Sequence, residues 1–79
     1  MSRRDKLLAK IRNNPRGVRF DELTKLLEWH GFELARVKGS HHLYLRGERR
    51  ITIVWQRPQV DPAAVKEVLD HIAEIETEE

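Results

Sequence analysis

The chain contains no cysteine, few aromatic residues and no long apolar run. The absence of cysteine excludes disulfides, thiolate nucleophiles and zinc-finger ligation, which suits a reducing compartment. No stretch is long and apolar enough for secretion or for membrane spanning, so we expect a cytoplasmic protein with no membrane partner. With two Phe, two Trp and one Tyr, the core must consist mostly of Leu, Ile and Val.

The length of 79 residues limits what the fold can contain. A chain of this size forms one domain and buries only about 60% of its surface on folding. Such a domain has room for a site on its surface and none for a deep pocket. We therefore expect a single domain over residues 1–79.

The formal net charge of +2 conceals an uneven distribution along the chain. Residues 1–60 hold 14 Lys or Arg against 6 Asp or Glu, whereas residues 61–79 hold 1 against 7. The body is therefore near +8 and the C-terminal segment near −6. A basic body attracts nucleic acid through phosphate contacts and counterion release. On charge alone, an ordinary solvated surface explains the pattern slightly better.

Two helices are predicted in the first part of the chain. Ser2, with an acidic residue three positions later, indicates an N-cap and a short helix that ends near Asn13. A loop follows, so residues 2–17 form an N-terminal extension. A second amphipathic helix is predicted over residues 21–30, with Gly31 as its C′ residue.

A third helix is predicted near the C-terminus. Asp61 at the N-cap and Pro62 at the first helical position indicate where it begins. Glutamates crowd its C-terminus, where negative charge opposes the helix dipole, so we expect an acidic, solvated tail over residues 74–79. The predicted buried stripe comprises Val65, Val68, Leu69, Ile72 and Ile75.

Between the second and third helices, residues 32–55 predict a three-stranded antiparallel sheet. In the middle strand, Leu43 and Leu45 alternate with Tyr44 and Arg46. We expect the leucine face to lie on the helices and the tyrosine face to see solvent. The third strand has the same alternation, with Ile51, Ile53 and Trp55 on one face and Arg50, Thr52 and Val54 on the other.

Two adjacent histidines at the entrance of the middle strand are the strongest chemical feature of the chain. His41 and His42 follow a Gly-Ser turn, and cations such as Lys38 surround them. Histidine titrates near neutral pH and can take or give a proton, while Lys and Arg bind polyanions. Adjacent residues of a strand point to opposite faces, so the two rings cannot both approach one phosphate. A single histidine would then take or give a proton at a phosphate-bearing ligand, with a cation such as Lys38 beside it.

The alternation of strand residues ranks the two histidines as candidates for proton transfer. It places His41 on the leucine side, where partial burial could tune its pKa, and His42 on the solvent side. His41 is therefore the first candidate for proton transfer, and His42 a ligand contact or a passive residue, although the roles could be reversed. No His-x-x-x-His pair lies on a predicted helix and adjacent strand residues diverge, so we expect no metal and no cofactor.

Four stretches of the sequence form a recognisable pattern when taken together: Leu-Leu-Glu-Trp-His-Gly-Phe over 26–32, Val-Lys-Gly-Ser-His-His-Leu-Tyr over 37–44, Arg-Arg-Ile-Thr-Ile over 49–53, and residues 61–72. They resemble the HicA toxins of bacterial toxin–antitoxin modules, which are small metal-independent endoribonucleases. The resemblance spans residues from about 20 to 73. It implies an α+β fold like that of the double-stranded-RNA-binding domain, α-β-β-β-α, here with an extra N-terminal helix. It also implies cleavage of messenger RNA by a histidine of the Gly-Ser-His motif, and a HicB-like antitoxin that covers the site.

The chain departs from the compact family pattern in two ways. About 18 additional residues precede the core, and the usual His-Pro-Asp-Gly-type hairpin turn is replaced by Arg46-Gly47-Glu48-Arg49. Under the ribonuclease interpretation, a single histidine, His41 first, would act as general base on a ribose 2′-hydroxyl, with water or Lys38 assisting the leaving group. His42 would then be an RNA contact or a passive residue, and further residues would hold the RNA backbone or stack a base. These RNA-binding candidates are Lys38, Ser40, Tyr44, Arg46, Arg49, Arg50 and Arg57.

Two other interpretations remain open. A non-catalytic RNA-binding module would share the basic sheet but would not need a histidine at the strand entrance. A DNA-binding winged helix fits less well, because no recognition helix stands directly before a two-stranded wing and the chain ends in a well-capped amphipathic helix.

Overall fold

The computed structural model describes residues 2–78, and Met1 and Glu79 lie outside the described residues. Over this range it contains three helices and a three-stranded antiparallel sheet, so the predicted α+β fold like that of the double-stranded-RNA-binding domain, with an extra N-terminal helix, is confirmed. The elements are α1 (Arg3–Asn13), α2 (Phe20–Trp29), β1 (Glu33–Lys38), β2 (His41–Arg46), β3 (Arg49–Val54) and α3 (Pro62–Glu78).

Helix α1 begins as the sequence predicts. The Oγ of Ser2 accepts a hydrogen bond from the backbone N–H of Asp5 at 3.1 Å, which satisfies one of the free amides of the first turn. Leu8 and Ile11 of this helix are buried in the same core as the sheet. The N-terminal extension is therefore part of the folded body.

An ion pair connects α1 to the start of α2. The Nζ of Lys10 lies 2.6 Å from the Oε2 of Glu22, and the backbone N–H of Arg19 donates to the other carboxylate oxygen at 3.0 Å. The hydrogen bond from Lys10 and then that from Arg19 hold the pKa of Glu22 below its ordinary value.

Helix α2 ends at the predicted position. Gly31 adopts a φ of +86°, a left-handed conformation that glycine takes without strain. The buried ring of His30 contacts the carbonyl oxygen of Leu26 through Nδ1 at 2.8 Å. His30 is thus the C-cap residue that the sequence indicates.

The sheet has the order β1-β2-β3, with β2 in the centre. Tyr44 pairs with Ile51 and His42 pairs with Ile53, and directly opposed residues of antiparallel strands share a face. Both isoleucines and Tyr44 are at most 3% exposed, whereas Leu45 is 36% exposed. The predicted faces of β2 are therefore wrong, because the helices cover the tyrosine side and not the leucine side.

Helix α3 covers the sheet with the predicted stripe. Asp61 caps it, with its Oδ1 accepting from the N–H of Ala63 at 2.9 Å. Of the predicted stripe, Leu69 is half-buried. The fully buried members are Val65, Val68, Ile72 and Ile75.

The C-terminal turns of α3 do not form the expected tail over the described residues. The helix continues to Glu78, and Arg49 binds Glu74 at 2.9 Å and Glu78 at 2.7 Å. Arg49 also donates to the Nδ1 of His71 at 3.0 Å. This cation next to the last turns opposes the unfavourable interaction between the glutamates and the helix dipole. Arg49 therefore fastens the end of α3 to the turn between β2 and β3.

Every helix in residues 2–78 is too short or too polar to cross a lipid bilayer.

Candidate functional site

The turn between β1 and β2 consists of Gly39 and Ser40, and it brings Lys38 opposite His41. Gly39 has a φ of +59°, and a Cβ added there would meet no atom within 4 Å. The turn therefore needs glycine for its backbone conformation and not for space. We call this turn with the residues next to it, Lys38 to His42, the histidine hairpin.

The ring of His42 lies on the helix side of the sheet. Its Nδ1 is 3.1 Å from the carbonyl oxygen of Ser40, and its ring meets that of Phe20 edge to face at 4.8 Å between centroids. A carbonyl oxygen only accepts, so Nδ1 carries the proton and a neutral ring keeps its lone pair on Nε2. His42 is half-buried and held in one orientation.

His41 occupies the opposite side of the sheet, which the helices leave open. It is exposed, with Lys38 opposite it on β1 and Val54 opposite it on β3. The expectation that His41 is partly buried and His42 is in solvent is therefore reversed, for the same reason that the leucine face is wrong.

The open face of the sheet is basic. Because opposed residues share a face, the register puts Lys38 beside His41 and Arg36 beside Leu43. Arg50 lies opposite Leu45 on the same face. Arg36, Lys38 and Arg50 are all exposed, so this face carries three cations and one acidic residue, Glu33, with only Lys38 directly opposite the exposed imidazole.

Trp55 lies next to the histidine hairpin, although the sequence predicts it on the buried face of β3. The strand ends at Val54, and the backbone N–H of Trp55 donates to the carbonyl oxygen of Ser40 at 2.8 Å. The indole is 43% exposed, and the guanidinium carbon of Arg57 lies 4.9 Å from its ring centroid. The Gln-Arg-Pro loop signal that follows Trp55 is the cue that the alternation stops before it.

The segment after Trp55 is fastened at both of its ends. Gln56 accepts a hydrogen bond from the N–H of Asp61 at 2.9 Å, and the side chain of Gln59 donates to the carbonyl oxygen of Arg16 at 3.0 Å. Arg16 and Arg57 line the same shallow hollow of about 500 Å³. Arg16 is not among the residues predicted from the sequence, because only the tertiary fold brings the first loop to this end of the sheet.

Three of the predicted RNA-binding residues lie away from the histidine hairpin. Tyr44 is 3% exposed, and burial, followed by the nearby Glu28 carboxylate, raises the pKa of its phenol. Arg46 lines a small hollow with Trp29 at the C-terminal end of α2. Arg49 is occupied by the carboxylates of α3. The expectation that Tyr44 faces solvent is wrong.

The structure brings the remaining predicted residues together around the turn, except for Arg50, which lies farther along the open face. Among residues 2–78, no three His, Asp or Glu side chains form a group that could hold a metal ion. The arrangement can therefore offer a polyanion a proton acceptor, several cations and an aromatic surface. The residues that it gathers are Lys38, Ser40, His41, His42 and Arg57.

One of three comparisons with known proteins gives a match. No significant match was found among curated proteins or among solved structures. A family model described as the HicA toxin of bacterial toxin-antitoxin matches residues 20–73, a range that includes the histidine hairpin and excludes α1. Since this range is more than half of the 79 residues, the chain belongs to the HicA toxin family.

Proposed function

We propose that this protein is a metal-independent endoribonuclease that cleaves messenger RNA, with His41 as the general base. The single observation that supports this most is the exposure of His41 on the open basic face, directly opposite Lys38. A phosphate bound by Lys38 would lie close to an imidazole that can take a proton near neutral pH. The family membership adds that the protein is the toxin of a toxin–antitoxin module.

In the proposed reaction, His41 removes the proton of a ribose 2′-hydroxyl. The 2′-oxygen forms a bond to the adjacent phosphorus, and the bond from phosphorus to the 5′-oxygen of the next nucleotide breaks. The products are a 2′,3′-cyclic phosphate and a 5′-hydroxyl, which takes its proton from water or from Lys38. The ammonium of Lys38 stabilises the charge that develops on the phosphoryl oxygens. DNA cannot react in this way because it lacks the 2′-hydroxyl.

We assign His42 to the support of the hairpin. Its ring is fixed between the carbonyl oxygen of Ser40 and the ring of Phe20, on the side that the helices cover. The same hydrogen bond leaves Nε2 as an acceptor, which is the specific observation in favour of the reversed assignment, with His42 as the base.

Cleavage of single-stranded RNA in the presence of a chelator tests the proposal. We expect wild-type protein to release 2′,3′-cyclic phosphate ends with the chelator present. His41→Ala should lower the rate by about 10²-fold to 10⁴-fold. His71→Gln is the matched control, since His71 contacts Arg49 at the other end of the molecule and should leave the rate unchanged.

The outcomes separate the alternatives. If His42→Ala and not His41→Ala abolishes cleavage, the two roles are exchanged. If both variants cleave at the wild-type rate, or if activity requires added zinc or manganese, the proposed mechanism is wrong. RNA binding with no cleavage by any form would favour the non-catalytic module.

The proposed partner is a HicB-like antitoxin that covers the histidine hairpin. Expression of the wild-type chain alone should stop growth, and expression of His41→Ala should not. Co-expression with the product of a neighbouring antitoxin reading frame should restore growth, and the purified complex should not cleave RNA.

A further inference from the structure

We propose that Trp55 and Arg57 form a stacking platform for an unpaired nucleobase of the RNA beside the histidine hairpin. This inference deepens the proposed ribonuclease function and rests on it for its place in the reaction. We call the two side chains the Trp55–Arg57 platform.

The exposure of Trp55 is the first argument. Tryptophan is among the largest apolar side chains, and a domain of 79 residues with so few aromatics would stabilise its core by burying it. Instead, 43% of Trp55 remains accessible, and Arg57 lies over the ring at 4.9 Å. A cation over an indole face holds the ring in place and supplies a second flat surface on which a base can stack.

The position of the platform is the second argument. The carbonyl oxygen of Ser40 accepts hydrogen bonds from the N–H of Trp55 at 2.8 Å and from the ring of His42 at 3.1 Å. Val54, the residue before Trp55, is the direct strand partner of His41. The backbone of Trp55 is therefore fastened to the turn that carries the proposed base.

The surrounding charge is the third argument, because it identifies the occupant as nucleic acid. Lys38 flanks His41 on the open face, and Arg16 lines the hollow that contains Arg57. A ligand that binds both the cations and the indole must carry phosphates and flat aromatic bases in the same molecule. In a duplex the bases stack on each other, whereas in a single strand they are free to stack on a protein ring.

The chain contains a natural control in its other tryptophan. Trp29 is 39% exposed, and Lys25 Nζ lies 5.8 Å from its ring centroid. It lines a hollow with Arg46 and Glu76, at the opposite end of β2 from the histidines. Trp29 thus matches Trp55 in exposure and in having a cation over its ring, but it is remote from the proposed site.

Intrinsic fluorescence provides the direct test. In a Trp29→Phe, His41→Ala chain, Trp55 is the only tryptophan and bound RNA is not cut by the proposed base. A short single-stranded RNA of mixed sequence should quench its emission. An abasic oligomer of the same length, which keeps the phosphates but has no bases, should not, and neither should the corresponding RNA duplex. Equal quenching by the abasic oligomer would overturn the platform.

Affinity measurements with matched variants provide the second test. In the His41→Ala background, Trp55→Leu should weaken single-stranded RNA binding by about 5-fold to 150-fold, the range expected for loss of one stacked base. Trp55→Phe should retain most of the affinity and Trp29→Leu all of it. Circular dichroism and thermal melting of each variant would show that the fold persists. Unchanged affinity of Trp55→Leu, or a loss confined to antitoxin binding, would overturn the inference.

The two proposals can fail separately. If wild-type protein cuts no RNA but the bases of a single strand still quench Trp55, the ribonuclease function is wrong and the platform stands. If wild-type protein cuts RNA and Trp55→Leu, in an otherwise wild-type chain, cuts it with the same kcat/KM, the platform is wrong and the ribonuclease function stands.

Discussion

The basic residues at the two ends of the central strand β2 differ in whether they form ion pairs. At the end where β2 meets β3, Arg49 is bound to two carboxylates of α3. At the histidine hairpin, Lys38 and Arg57 form no ion pair with any residue in the range 2–78. We call the first the acidic end. A similar residue type thus stabilises the fold at one end and is available to a polyanion at the other.

This contrast explains why net charge alone is a weak guide to function. The basic residues of the sequence divide into those that form ion pairs between elements, such as Lys10 with Glu22 and Arg49 with Glu74, and those that have no carboxylate partner among residues 2–78, such as Lys38 and Arg57. Only the second group can exchange counterions for phosphates. The fold decides the division, because it determines which carboxylates come within reach.

The largest expected effect concerns the stability of the acidic end. Ile75 is 4% exposed and lies in the last turns of α3, so Ile75→Ala should lower the free energy of unfolding by about 2–5 kcal/mol through reduced burial and a residual cavity. Urea unfolding of the variant measures this change. RNA affinity should be unchanged at temperatures where the variant is folded. A decrease below about 1 kcal/mol would mean that these turns act as the solvated tail that the sequence predicts.

The second largest expected effect tests whether the cations at the two ends of β2 differ in binding phosphates. A double variant, Lys38→Gln with Arg57→Gln, should reduce the slope of log affinity against log salt concentration by about 0.7 for each phosphate that the protein no longer neutralises. The matched double variant at the acidic end, Arg46→Gln with Arg49→Gln, should leave that slope unchanged and lower the thermal unfolding midpoint. Equal slopes for the two double variants would contradict the division between the ends.

The smallest expected effect is a pH dependence of the free energy of unfolding, which comes from an ion pair between α1 and α2 and not from the candidate site. The folded pKa of Glu22 is held below its unfolded value by Lys10, so the stabilisation is present at neutral pH and is lost as pH falls through the folded pKa. Because Lys10 is largely exposed, we expect less than about 1 kcal/mol. Glu22→Gln should flatten the acid side of a plot of unfolding free energy against pH. An unchanged acid side would show that the pair contributes nothing, and RNA affinity should not follow this titration.

Local patterns predicted the helices well. The cap at Ser2, the glycine at position 31 and the Asp61-Pro62 start each depend on a few neighbouring residues, and each is present in the structure. The strands themselves were also predicted, since alternation and turn glycines are local signals.

Predicting which face of the sheet is buried requires the patterns of two paired strands together. The two-residue turn pairs Arg46 with Arg49, and this register puts Tyr44 opposite Ile51. Alternation within β2 alone favoured the leucines, but the isoleucines of β3 require the tyrosine side to be buried. A register shift of one residue exchanges the faces of a strand, so this error also exchanged the expected positions of His41 and His42.

The grouping of the candidate residues could be predicted where they are close in sequence, and it could not be predicted where they come from distant segments. Lys38, His41 and His42 come together because one turn connects them. Trp55 and Arg16 reach the same end through hydrogen bonds between distant segments, which no spacing in the sequence indicates.

The conformation of Gly39 has a consequence for chirality. An added Cβ would meet no atom within 4 Å, so the objection to an L-residue at this position lies in the sign of φ, which is +59°. A mirror-image amino acid prefers positive φ, and D-alanine therefore satisfies both the torsion and the open space. The bend that presents the imidazole is thus selected by handedness and not by size, and a synthetic chain with D-alanine at position 39 would have a stiffer turn with the same geometry.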